Sequence, residues 1–215
     1  MEIKQYYENK SPSYGISHTR RKKILELLKD VKGKRILDIG CSTGYLGKVL
    51  KEQENFVVGV DISEQASKQA QTVLDRAYCF DVEKQWPLEL ENEKFDIIVA
   101  LEIIEHLFDP ALFLKKIREF LEKDGTLIIT VPNFLSWVNR IKFVFGKFRY
   151  TDQGIFDFGH IRFFTRKTLR ILLNDSGFEI VKWNNIVFPG KLSLVLRLWP
   201  SLFSTQFIVK AKINE

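Results

Sequence analysis

Cysteine is scarce: Cys41 and Cys79 are the only two in 215 residues. They lie far apart, with no metal-ligand spacing around either, which excludes a disulfide framework and a cysteine-built zinc site. No metal site is expected. Long apolar runs are missing as well. Nothing approaches the roughly 18 residues of a membrane-spanning helix, and the first residues, MEIKQYYENKSP, lack the apolar core of a secretory signal. No internal repeat, low-complexity tract or linker is present. The simplest expectation is a reduced, cytoplasmic protein.

The remaining composition is that of an ordinary globular chain, 45% hydrophobic and 28% charged. Its length suits one well-buried domain and is short for two. The net charge of +6 is unevenly spread. Residues 10–35 carry nine basic and two acidic side chains, and 140–170 carry eight and two. Such an excess meets nucleic acid, anionic lipid or a phosphorylated substrate, or is a solvated basic surface.

Periodicity divides the chain into alternating elements. Ile24, Leu27, Leu28 and Val31 form one face of a helix over 19–31. Short apolar runs predict strands at 36–39, 56–60, 77–80, 95–101 and 126–131. Helical stripes fall between them, at Leu46, Val49 and Leu50, and at Ala66, Ala70, Val73 and Leu74. A further helix starts with Asp109 as N-cap and Pro110 at its first position, and runs to about Lys123. This alternation specifies a parallel sheet covered by helices on both faces. After Pro132 the regularity breaks into an irregular insert, 133–164, rich in aromatics and bases. A helix over 166–176 and strands at 178–183 and 207–213 follow, the last two suited to an antiparallel edge pair.

The stretch ILDIGCSTG, 36–44, poses a choice. Gly40 to Gly44 reads G-x-S-x-G, the nucleophile elbow of serine hydrolases. It also reads as a first strand entering a glycine turn, the opening of a nucleotide-cofactor site. Only 35 residues precede Ile36, so the serine strand comes first in the sheet, unlike an elbow strand. Asp61 stands at the tip of the second strand, 21 positions beyond Gly40, where a carboxylate accepts ribose hydroxyls. The cofactor reading wins. A nicotinamide site fits less well, because Ser42 replaces the glycine that admits a pyrophosphate.

With ILDIGCSTG, GVDIS, CFDVE, FDIIVALEIIEHLFDP, TLIITVPN and GFEIVKW in this order, the chain resembles class I S-adenosylmethionine-dependent methyltransferases. The resemblance covers nearly the whole sequence. LEIIEHLFDP is similar to ubiquinone-type O-methyltransferases, and HIRFFTRKTLRILLNDSGF to methyltransferases of glycans and lipid conjugates. It implies a Rossmann-like, seven-stranded, mostly parallel sheet with an antiparallel C-terminal edge strand. It also implies S-adenosylmethionine as cofactor and a single domain over 1–215. That domain would comprise a lid and helix at 1–31, a cofactor half at 32–131 and an acceptor half at 132–215.

The resemblance carries roles onto individual residues. Gly40 and Gly44, with Cys41 and Ser42 between them, would let the cofactor's amino-acid moiety approach the backbone. Asp38 would orient that loop or reach the moiety through water. Asp61, with Ile62 beside it, would hold the ribose hydroxyls. Asp81 would take the adenine amino group and Val82 the adenine face or a backbone contact. Leu101 and Glu102 would line the methionine side. Tyr6, Tyr7 and Tyr14 belong to a segment that closes over the cofactor in related enzymes, or to a frayed terminus. His106 and His160 are the candidate general bases, an imidazole being able to titrate near neutrality. Each has a plainer alternative: a loop brace for His106, a surface imidazole for His160.

The expected activity is O-methylation of a small, glycan-linked or lipid-linked acceptor. A phenolic or quinone-precursor acceptor is the runner-up, and a catalytically silent cofactor-binding module the rival. Nucleic acid is disfavoured, since the N/D-P-P-Y type of motif is missing and Val131-Pro-Asn133 is its nearest match. The insert is expected to form the acceptor side. Its aromatics and bases suit either contact with an anionic membrane surface or an extra core layer, joined by the apolar run 192–203.

Overall fold

Four short runs, Arg35–Ile39 (β1), Phe56–Asp61 (β2), Arg76–Cys79 (β3) and Phe95–Leu101 (β4), pair in parallel in the computed structural model. The structure is described over residues 8, 18–84, 86–152, 154–187 and 199–214. Leu121–Pro132 (β5) extends the parallel part beside β4. Ser204–Ile213 (β7) and Phe178–Val187 (β6) complete seven strands in the order β3-β2-β1-β4-β5-β7-β6. The antiparallel C-terminal strand is present and lies one place in from the edge. β7 runs antiparallel to both neighbours, and β6 is outermost.

Strand residues alternate between two cores, as the period of two requires. Leu37, Ile39, Val58, Val60, Ile98 and Ala100 face one side. There they meet Phe113, Leu114 and Ile117 of helix α4 (Pro110–Phe120) and Leu169 and Leu173 of α6 (Arg166–Asp175). Ile36, Val57, Ile97 and Val99 face the other. That side is covered by Ile24 of α1 (His18–Leu27), Leu46 and Leu50 of α2 (Tyr45–Lys51), and Ala70 of α3 (Glu64–Ala70). Among the described residues no helix is long and apolar enough to cross a membrane.

Caps set several boundaries. Asp109 accepts the Leu112 amide at 2.9 Å, which starts α4 at Pro110 as its sequence predicts. α4 stops at Phe120, short of Lys123, because Leu121 turns extended and pairs with Phe95. α1 ends at Leu27, short of 31, yet its stripe continues through a turn. Leu28 donates to Ile24 at 3.1 Å and is buried.

The insert is not wholly irregular. It contains a helix, α5 (Trp137–Val144), whose one buried residue is Asn139. Apolar residues stand on both of its sides, Ile141 and Val144 outward and Phe143 inward against Phe134, so no single apolar face stands out in the sequence. A last short helix, α7 (Pro200–Phe203), precedes β7. Tyr6, Tyr7, Tyr14 and positions 192–198 lie outside the described residues. α1 opens at His18, one residue before the expected start at 19.

Candidate active site

The chain visits β1, β2 and β3 outward along one half of the sheet, then returns to place β4 on the other side of β1. Such a reversal opens a crevice at the carboxyl ends of the strands. The tips of β3, β2, β1 and β4 bring Asp81, Asp61, Gly40 and Glu102 to that end, as the sequence predicts.

The glycine turn is tied to β2 by backbone and carboxylate together. Gly40 and Cys41 donate to the Val60 carbonyl at 2.7 and 3.0 Å. One Asp61 oxygen accepts the Ser42 amide at 2.8 Å, and the other accepts the Ser63 amide at 2.9 Å. Gly44 sits at φ 81°, and a Cβ there would lie 2.6 Å from Val73. Gly40 sits at φ 74°, and the space of its missing Cβ is taken by Ile103, which follows the β4 tip. Burial raises the Asp61 carboxyl above its usual range, against the lowering effect of the Ser63, Ser42 and Ile62 amides.

Ser42 is part of this bracing, at a left-handed φ of 48°. A serine hydrolase reading therefore has its test here. Fluorophosphonate reagents should leave Ser42 unlabelled, and Ser42→Gly should retain cofactor binding, since glycine adopts that φ without strain. Stoichiometric labelling would reverse the choice.

Cys41 is buried beneath the turn against Gly59, and burial pushes its thiol well above the ordinary value. Its side chain packs. Asp38 is also buried, and desolvation, with Asp61 adding, raises its carboxyl to about 7. At the β3 tip Asp81 accepts the Glu83 amide at 3.0 Å, and the Val82 carbonyl accepts the Trp86 indole at 3.1 Å. Ile62 accepts from the Cys79 thiol at 3.6 Å, joining the tips of β2 and β3.

At the β4 tip Leu101 is buried, and Glu102 adopts φ 58°. A non-glycine residue in that region is held there by its surroundings. The Glu102 carboxylate accepts from Thr130 at 2.9 Å and from Gln206 at 3.1 Å, and pairs with Arg20 at 3.3 Å. Arg20 in turn donates to Gln206 at 2.9 Å. Helix α1 is thereby fastened to β4, β5 and β7 beside the crevice. This network was not foreseen, because its members come from four distant segments.

Beyond Glu102 the chain makes a single tight turn, Ile104–His106. Glu105, His106 and His160 are all buried, with one ligand-type atom of each within 4.8 Å of the others. The two imidazole centroids are 4.6 Å apart. His106 Nδ1 lies 2.8 Å from the Gly159 carbonyl, and His160 Nδ1 3.0 Å from that of Ile155. The backbone closes the same junction, Ile161 and Arg162 donating to the Glu105 carbonyl at 3.0 and 2.9 Å. Neither Glu105 carboxylate oxygen has a hydrogen-bond partner among the described residues. Burial, with Glu102 nearby, pushes its carboxyl well above the usual range.

His106 and His160 thus lie together, each braced by a carbonyl, and His160 is not a surface imidazole. Glu105 is the residue the sequence reading passed over. Its signal was the adjacent pair Glu105-His106, which offers two ligand types after a strand tip. The expectation of no metal site rested on cysteine spacing and took no account of a cluster the fold assembles.

Residues 15–182 match the model of the methyltransferase domain family. The ubiquinone biosynthesis O-methyltransferase of Azorhizobium caulinodans is 31% identical over 169 residues, covering 75% of this chain and 65% of that protein. The chain therefore spans under two thirds of the length of that relative. An S-adenosylmethionine-dependent methyltransferase from Archaeoglobus fulgidus superposes with a TM-score of 0.68 at 22% identity, over 98% of this chain and all of the other (100%). The magnesium protoporphyrin IX methyltransferase of Synechocystis, solved with bound S-adenosylhomocysteine, gives 0.65 at 15% identity, over 98% and 94%. With the glycine turn, the acid at the β2 tip and the sheet order already in place, the conclusion is direct: the chain belongs to the class I methyltransferases, whose cofactor is S-adenosylmethionine.

Proposed function

We propose that this chain methylates a hydroxyl oxygen of a small acceptor, and that Glu105, His106 and His160 hold a divalent cation beside that oxygen. One observation carries the reading: a buried carboxylate without a hydrogen-bond partner, next to two oriented imidazoles. An unpaired buried carboxylate is costly, and a cation relieves that cost. Carbonyl contacts at Nδ1 are the arrangement that orients metal-binding histidines and presents Nε2. Two imidazoles and a carboxylate suit Mn²⁺, Fe²⁺, Co²⁺ or Zn²⁺ better than Ca²⁺.

When bound, such a cation lowers the pKa of a coordinated hydroxyl, making it a better nucleophile. The protein's own part is chiefly alignment. The sulfonium is already activated, so the acceptor oxygen, methyl carbon and sulfur must be brought into line. Gly40, Cys41, Ser42 and Gly44 would hold the methionine moiety, Asp61 and Ile62 the ribose, Asp81 and Val82 the adenine. Leu101 and Glu102 would face the methyl group. Two adjacent hydroxyls would chelate a cation better than one. Similarity to a ubiquinone biosynthesis O-methyltransferase supports a quinone-precursor acceptor as well, in place of the glycan- or lipid-linked acceptor expected from the sequence.

The experiment is methyl transfer to a catechol before and after removal of divalent ions by a chelator, with cofactor binding measured alongside. Loss on chelation and recovery with Mn²⁺ or Zn²⁺ is expected. Transfer that survives chelation would leave an imidazole as the general base. Cofactor binding with no transfer to any hydroxyl acceptor would support the silent module.

Asp38 makes a second, independent expectation. Its folded carboxyl holds a proton to about pH 7, above the ordinary 3.8. Its contribution to stability is therefore present in acid and lost as pH rises through about 7. A cationic ammonium nearby should draw that proton off. Calorimetry at mildly acid pH, in two buffers of different ionisation enthalpy, should show proton release on binding S-adenosylmethionine. Asp38→Asn should remove that release; if the variant releases the same number, Asp38 does not face the cofactor's charge.

A further inference from the structure

Helix α5 packs inward through Phe143 and carries a second apolar stripe on its outer side. Trp137, Ile141, Val144 and Phe145 repeat at helical spacing and are 39%, 48%, 82% and 71% exposed, while the polar Asn139 is buried. Asn139 is fixed there by donating to the Phe134 carbonyl at 2.9 Å. A helix packed on its own protein normally keeps its apolar stripe inward and its outer face polar. The turn beyond α5 adds exposed Phe148 and Tyr150, and Phe158 stacks on Tyr150 with centroids 5.5 Å apart.

The interior of the insert is already furnished. Phe134 packs on Phe163 at 4.7 Å and on Phe143 at 5.3 Å, and Phe143 on Phe156 at 5.8 Å. These rings form a packed layer within the insert. The outward stripe is a separate surface, and its charge selects an occupant. Arg140, Lys142, Lys147 and Arg149 flank it, all exposed, and positions 133–151 contain no Asp or Glu.

We propose that α5 and the turn after it insert into the headgroup layer of an anionic bilayer. Apolar side chains between exposed bases suit that interface, where aromatics bury and cations meet lipid phosphates. A second copy of this chain fits less well, since pairing the same face would set four bases against four. The face is joined firmly to the crevice. The same insert supplies His160, and its Ile161 and Arg162 amides bind the Glu105 carbonyl. A bilayer held on α5 would thus lie beside the acceptor side, where an amphiphilic acceptor is concentrated. The inference goes beyond the proposed chemistry and stands without the cation.

The test is flotation of the full chain with vesicles of phosphatidylcholine alone and of phosphatidylcholine with phosphatidylglycerol. Flotation is expected with the anionic vesicles and should fade with salt, which screens surface charge over about 8–10 Å. Arg140→Ser, Lys147→Ser and Arg149→Ser together should weaken partitioning by roughly a hundredfold, at about fivefold per base. Ile141→Ser with Val144→Ser should abolish it. Cofactor binding serves as the check of folding, since none of these residues is placed at the cofactor. The proposal is overturned if the parent chain stays with no vesicle, or if the Ile141 and Val144 variant floats as before. A concentration-dependent dimer, lost in that variant and without flotation, would make the stripe a self-association face instead.

Discussion

Glu105→Gln is expected to reduce methyl transfer by at least about a hundredfold, the scale of removing a hydroxyl-activating group. Thermal stability should hold steady or rise in the same variant. The two outcomes belong together. A buried carboxylate without a hydrogen-bond partner destabilises the fold it sits in, so a neutral isostere relieves the protein while depriving a cation of its charged ligand. A purely structural glutamate would show the opposite, a falling melting temperature with transfer intact. His106→Asn and His160→Asn should lose activity as well, and calorimetry with Mn²⁺ or Zn²⁺ alone should show weakened binding in all three. Unchanged metal binding in Glu105→Gln, with the chain folded, would remove the carboxylate from the cation site.

Asp61→Ala is expected to cost cofactor affinity about tenfold or more. Two charge-assisted hydrogen bonds to ribose hydroxyls are at stake, each worth roughly 1.5–3 kcal/mol. The carboxylate already receives the Ser42 and Ser63 amides, one on each oxygen. A carboxylate has about four acceptor positions, so those amides and the ribose can be served together. The substitution thus removes a ligand contact and loosens the glycine turn. Asp61→Asn separates the two, because its amide oxygen can still accept one backbone N–H while its NH₂ faces the other. Asp61→Asn should therefore bind more weakly than the parent and unfold more readily. Isothermal calorimetry on folded variants reads the first effect and denaturant titration the second. Unaltered affinity in a folded Asp61→Ala chain would take the ribose role from this residue.

The cofactor end of the crevice was legible because its parts are local. Gly40, Asp61 and Asp81 stand at or just past the end of an apolar run and before a turn, with Asp38 one residue inside the end of β1, and a strand's tip is found by finding the strand. The acceptor end was only half legible. His106 and His160 could be named as titratable groups in plausible places, but nothing in a linear reading showed that their rings touch. Glu105 went unnoticed because a glutamate in a polar loop is ordinarily solvated. Its burial is visible only once the insert folds over it.

By itself, the amino-acid sequence determined the alternation of strand and helix, the parallel cofactor half and the acids at its tips. These depend on hydrophobic period, caps and glycine turns, all of which act over a few neighbouring residues. Tertiary structure alone decided that β7 enters between β5 and β6, that Arg20, Glu102, Thr130 and Gln206 share one network, and that Glu105 meets His160. It also decided that α5 turns an apolar stripe to the outside. Those outcomes are settled by pairings between distant segments, where the burial of one side chain depends on what another part of the chain lays across it.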